Sequence, residues 1–206
     1  MHQTSIGRHL GLFLTAAVAL PLSGSGCAYH SEYMTEGNPP QQWRPPPGQA
    51  LVVFLRPSGT ASSLGVTIID DRGHFLGDAT AKARFAVPMS AERHIFMTWS
   101  ENTDVLVADL APNKTYYIEV GAEAGAVSPR FYLYALKPGS KNYPKRERWM
   151  SSTRPLFPNS APGQAYLDAH TADVAERIKQ GLAHLTEYEH APKELDAHML
   201  RPEDGG

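Results

Sequence analysis

Four kinds of residue in this chain could carry chemistry, and each has a simpler structural account. His170, His184, His190 and His198 gather near the C-terminus. No two of them have the i, i+4 spacing that puts two metal ligands on one helix face, so they read as scattered surface side chains. Asp70, Asp71 and Asp78 flank a glycine turn, where aspartate satisfies local backbone N–H groups more readily than it builds a calcium loop. His94 with Asp104 or Asp109 and some serine would make a hydrolytic triad on paper, but the chain lacks a Gly-x-Ser-x-Gly nucleophile elbow. Tyr116, Tyr117, Tyr132, Tyr134 and Trp99 would suit stacking against a sugar or peptide, although strand alternation turns about half of them inward. No phosphate-cradling glycine loop is present. No residue is therefore assigned a catalytic or metal-binding role, and no cofactor is expected.

The fifth candidate is Cys27, the only cysteine among 206 residues. A lone cysteine excludes an intramolecular disulfide framework and a cysteine zinc site. Its position points to lipid attachment. Arg8 and His9 precede an apolar run from Leu10 to Leu22, too short to span a bilayer comfortably and broken by Pro21. Small residues then lead to Gly26-Cys27. This layout resembles the signal and lipobox of bacterial lipoproteins, in which cleavage exposes a cysteine that carries acyl chains. By the same resemblance, Ala28 after the cysteine implies sorting to the outer membrane, facing the periplasm.

The elements that would hang from such an anchor follow from composition and period. Residues 1–26 form the signal and 27–48 a proline-rich tether, with Pro39, Pro40, Pro45, Pro46 and Pro47 favouring extended polyproline II. Residues 49–137 carry short β-branched and aromatic runs separated by turn signals: 50–56, 65–70, 74–77, 83–87, 94–99, 104–110, 115–120 and 130–136. The fold class expected is mainly β, an antiparallel β-sandwich of about seven or eight strands, with no long parallel crossovers. Residues 138–161 read as a basic, proline-containing linker. Lys145, Arg146, Arg148 and Trp149 are candidates there for anionic headgroups or cell-wall polymer. Residues 162–190 form one amphipathic helix, with Leu167, Thr171, Val174, Ile178, Gly181, Leu185 and Tyr188 in a single stripe, widened by Leu182. Residues 191–206 are expected to be a flexible tail.

Several stretches together resemble the DUF2846 family of uncharacterised bacterial domains, often found in lipoproteins. They are the strand Ala50–Arg56, the Asp70–Gly77 hairpin, the strand entering at His94, and Leu110-Ala111-Pro112-Asn113-Lys114-Thr115-Tyr116-Tyr117-Ile118. The family carries a similar Gly-Lys-Thr-Tyr-Tyr strand, with Asn113 here in place of the usual glycine. The resemblance covers about 90 residues and implies a small β-sandwich reminiscent of PEGA and carboxypeptidase-regulatory domains. It transfers no catalytic residue.

The charge balance, 19 basic against 21 acidic residues, gives no field that would attract nucleic acid. The expected function is a lipid-anchored envelope protein whose β domain is a non-enzymatic interaction or structural module. Its partners would be the membrane, through the lipid on Cys27, and an unidentified envelope protein or cell-wall glycan. A glycan- or peptidoglycan-binding module is the alternative, and an envelope hydrolase ranks behind both. Tyr117, Tyr132, Tyr134, Lys145, Arg146, Arg148 and Trp149 are the expected ligand or partner surface.

Overall fold

The computed structural model describes residues 29–38, 43–125 and 128–206. The expected signal, Cys27 and the middle of the expected tether lie outside these residues. The chain is mainly β and builds two sheets. The first has the order β1 (Met34–Glu36), β10 (Arg154–Pro158), β5 (Ala83–Ser90), β2 (Gln49–Arg56), β8 (Thr115–Glu123), β9 (Arg130–Ala135). The second runs β11 (Met199–Leu200), β7 (Val105–Asp109), β6 (Arg93–Trp99), β3 (Val66–Asp70), β4 (Phe75–Ala79). Side chains from both sheets meet in one large apolar cluster that includes Val52, Phe54, Ile68, Phe96, Leu106, Ile118 and Leu133.

Two parts of the expected architecture are corrected. Eleven strands are present among the described residues rather than seven or eight, and the sheets are mixed. Strand β2 runs parallel to β8, β10 parallel to β5, and β11 parallel to β7. The parallel β2–β8 pair is possible because strands β3 to β7 lie between them in sequence, which supplies the long connection that parallel pairing needs.

The centre of the first sheet explains the most apolar run in the chain. Ala50 to Leu55 are all buried. Ala50, Val52 and Phe54 enter the main cluster, while Leu51, Val53 and Leu55 enter a second one with Leu136 and Trp149. A continuous rather than alternating run is what a strand covered on both faces requires. The cover on the outer face is the stretch read as a basic linker. It forms a 3₁₀ turn at Tyr143–Lys145 and helix α1 (Arg146–Ser152), then continues into β10.

The expected single helix over 162–190 is two helices, α2 (Ser160–Ala169) and α3 (Thr171–Glu189), separated at His170. They lie on the outer face of the second sheet, where Leu167, Val174, Ile178, Leu185 and Tyr188 join its cluster. Gly181 lets α3 approach β6 closely: a Cβ there would fall 2.6 Å from the Met97 sulfur. Leu182, expected to widen the stripe, is instead exposed.

Both ends of the expected domain are docked. Met34 is buried, β1 pairs with β10, and the Tyr29 N–H donates to the Ser62 carbonyl at 2.8 Å. Trp43 packs on the second cluster under the Arg84 guanidinium, 5.1 Å from its ring. The stretch expected to be a flexible tail forms helix α4 (Pro192–Ala197) and β11, with Leu200 fully buried.

Candidate functional site

The turn between β6 and β7 gathers several buried polar contacts. Thr98 and Asp104 close it: the Asp104 N–H donates to Thr98 Oγ1 at 2.8 Å, and the Thr98 N–H donates to the Asp104 carbonyl at 3.0 Å. Asn102 then acts as a short strand against the edge of β9. Its Nδ2 donates to the Phe131 carbonyl at 2.7 Å, and its Oδ1 accepts from the Phe131 N–H at 2.9 Å.

This places the Asp104 carboxylate, itself buried, between three elements. Oδ1 accepts the Tyr188 hydroxyl from the end of α3 at 2.7 Å. Oδ2 accepts the Leu133 N–H of β9 at 2.6 Å and lies 3.5 Å from Nε2 of His198, which follows α4. The other imidazole nitrogen, Nδ1, lies 2.8 Å from the Glu194 carbonyl. A carbonyl only accepts, so Nδ1 carries a proton. Burial pushes the His198 pKa down, but the Asp104 carboxylate outweighs it and the net shift is upward. Burial, followed by the Asp104 charge, pushes the Tyr188 phenol well above its ordinary value, so it remains a donor. The Tyr188 and His198 rings stack at 4.4 Å, and Tyr134 lies 5.4 Å from His198 on another side.

His198 thus leaves the class of scattered surface histidines: it is almost fully buried. Chemically the trio is a tie between the β6–β7 turn, α3 and β11. Among the described residues no serine or threonine hydroxyl bonds to the His198 ring, and its carboxylate partner is already engaged by Tyr188 and Leu133. The triad composed on paper is not assembled. His94 Nε2 lies 3.2 Å from the Ser90 hydroxyl and 3.0 Å from the Ser90 carbonyl, but the carboxylates face elsewhere: Asp104 takes Tyr188 and Leu133, and Asp109 faces Arg93.

The other candidates separate in the same way. Asp70 does turn chemistry, accepting from the N–H groups of Arg72 and His74 and from His74 Nδ1. Asp78 does not. Buried inside β4, it accepts the hydroxyls of Ser31 and Thr67, and burial pushes its pKa up. Among the described residues no cluster of three His, Cys, Asp or Glu side chains could hold a metal ion. Arg56 was visible in the sequence only as the end of a strand. It is fully buried and donates to the carbonyls of Thr60, Ala61, Leu64 and Ala79, and burial without a carboxylate lowers its pKa to about 10. A polar residue closing six apolar positions was the available signal.

The expected partner surface divides into two. Tyr117 lies half-buried beneath the Arg146 guanidinium, 5.0 Å from its ring, and Arg146 also covers Tyr143. Trp149 is buried in the second cluster. Burial corrects the assignment of Trp149 to an exposed binding face, whereas Tyr117 and Arg146 are half-buried and Lys145 and Arg148 stay exposed. Tyr132 and Tyr134 stack on β9 at 6.0 Å and 22°. Tyr132 lines a cavity of about 530 Å³ with Glu101, Asp104, Arg130, His184 and Tyr188. Tyr134 lines another of about 420 Å³ with Glu119, Glu123, Lys141 and Asn142. The stacked tyrosine pair thus contributes one ring to each cavity. Tyr116 is in the core, its hydroxyl donating to the Pro202 carbonyl at 3.2 Å.

No family model, no curated protein and no solved structure matches the chain.

Proposed function

We propose that this chain is a lipid-anchored protein of the bacterial cell envelope, held at the outer membrane by acyl chains on Cys27. Its two sheets, stacked as a sandwich, serve as a non-enzymatic interaction or structural module. The observation that carries this reading is Cys27 itself: the only cysteine of the sequence, placed just after an apolar run and small residues. Two or more acyl chains hold a protein stably at a bilayer, at about 0.8 kcal/mol per buried methylene. The DUF2846 resemblance of the β domain agrees with it. The engagement of the buried carboxylates Asp70, Asp78 and Asp104 by the β3–β4 turn, by Ser31 and by Tyr188 of α3 supports a structural rather than a hydrolytic role for them.

The test is detergent phase separation of the processed protein. Wild type partitions into detergent and Cys27→Ser into water. Equal partitioning of the two removes the reading.

The second reading, a glycan- or peptidoglycan-binding module, is favoured by one observation: the stacked Tyr132–Tyr134 pair, each ring of which lines a cavity. Aromatic faces beside polar groups suit sugar rings. Binding to purified sacculi that Tyr132→Ala abolishes would establish it, and the absence of binding would remove it.

A further inference from the structure

The structure contains an aromatic face immediately downstream of Cys27, and the sequence read as a free tether conceals it. Four large apolar side chains are exposed among the described residues: Tyr29, Leu64, Tyr166 and Leu182. Three of them belong to one neighbourhood. Tyr29 is fixed by its N–H bond to Ser62, and its ring lies against Gly65, where a Cβ would come within 2.3 Å of it. This sets it beside Leu64. Tyr166 of α2 contacts Tyr33 at 5.4 Å, Trp99 at 5.6 Å and His170 at 4.2 Å. Tyr33 in turn meets Phe75 edge-on at 6.0 Å, which secures the face to the core. Three separate parts of the chain therefore deliver rings to one place, the N-terminal segment, the end of β6, and α2 with the residue that follows it, and the loop after β2 adds the aliphatic Leu64.

We propose that this face, with Tyr29, Leu64, Tyr166 and Trp99 as its contact residues, rests in the headgroup layer of the membrane that holds Cys27. The proposal rests on the lipid-anchor reading. Two residues of extended chain span at most about 7 Å, so a bilayer-bound Cys27 holds Tyr29, and the rigid body fixed to it, at the membrane surface. Rings that are apolar along their bodies and polar at one end are the side chains enriched at that depth. Glu32 and Asp168 lie within the same segments as Tyr33 and Tyr166, and their charges limit the depth to the headgroups rather than the hydrocarbon. Contact through Trp149 and the basic segment, expected from sequence, is replaced, because Trp149 is buried.

The processed full chain is mixed with vesicles of phosphatidylethanolamine and phosphatidylglycerol carrying bromine near the headgroup, and floated through a density gradient. The sequence has three tryptophans, Trp43, Trp99 and Trp149, so the difference between wild type and Trp99→Phe isolates Trp99. The expected result is flotation, quenching of wild-type emission by the brominated lipid, and loss of that quenching in Trp99→Phe. Tyr166→Glu, at an exposed helix position, should float equally and show weaker quenching. Flotation with unquenched Trp99 overturns the proposal and leaves the anchor standing. Failure to float overturns the anchor and the proposal with it. Unquenched Trp99 combined with sacculus binding lost in Tyr166→Ala overturns it in favour of a glycan on this face.

Discussion

Ser31, four residues past Cys27, donates its hydroxyl to the buried carboxylate of Asp78 on β4. Thr67 supplies a second donor to the same carboxylate at 2.7 Å. A short polar segment is thereby fixed to the second sheet, while β1 three residues later joins the first. The body begins almost at the cysteine and does not hang from a long spacer. Ser31→Ala should cost about 1–3 kcal/mol, the penalty of leaving a buried acceptor short of a donor. Denaturant unfolding measures the loss, and hydrogen exchange should show it concentrated in residues 29–36.

Trp149→Ala should be among the most damaging single changes in the chain. The indole fills the second cluster beneath α1 with Leu51, Val53 and Leu55, and removing a buried tryptophan costs about 3–5 kcal/mol. A tryptophan serving an exposed membrane contact would cost little in solution. Urea unfolding of the detergent-free Cys27→Ser protein separates these outcomes.

Gly181→Ala should destabilise, against helix propensity. Alanine gains about 1 kcal/mol over glycine inside an exposed helix, but a Cβ here meets the Met97 sulfur at 2.6 Å. Overpacking of that kind costs about 1–3 kcal/mol. Combining it with Met97→Ala should recover part of the loss, and a thermal-melt cycle of the two changes measures the coupling.

The Asp104–His198 pair sets a pH dependence whose sign is fixed. Its imidazole pKa is raised in the folded state despite burial, by the Asp104 carboxylate and the Glu194 carbonyl. The folded state therefore binds more protons than the unfolded state above the ordinary value of 6.5. The contribution is full below that value and is lost as pH rises through the folded pKa. Wild-type stability should decline on the alkaline side of 6.5, and His198→Leu should remove that decline. Asp78, also raised, acts lower: its contribution falls as pH rises from 3.8 through its folded pKa. Denaturation midpoints across pH, wild type against each variant, distinguish the two windows.

Most strands were readable because their residues alternate or are β-branched, and the face formed by Tyr116, Ile118 and Val120 proved to be the core face. The stripe from Leu167 to Tyr188 was equally plain. What escaped was short or carried the wrong composition. Strands β1 and β11 have three and two residues, too few to show a period. Strand β10 contains Pro155 and Pro158, which argue for irregular structure. It tolerates them because it pairs with β5 through Arg154 and Pro155 and with β1 through Leu156, Phe157 and Pro158, so no residue is bonded on both sides. His198 looked incidental because its partners, Asp104 and Tyr188, are 94 and 10 residues away. The unbroken run Ala50–Leu55 was the one clear sign that the first sheet needed a cover on its outer face.

The account turns on the modification of Cys27, and metabolic labelling with radioactive palmitate tests it most directly. Wild type expressed in a bacterial host should incorporate label and, after processing, begin at residue 27, while Cys27→Ser should incorporate none. A wild-type protein that exports and folds but carries no label, or whose mature chain begins elsewhere, would contradict the anchor.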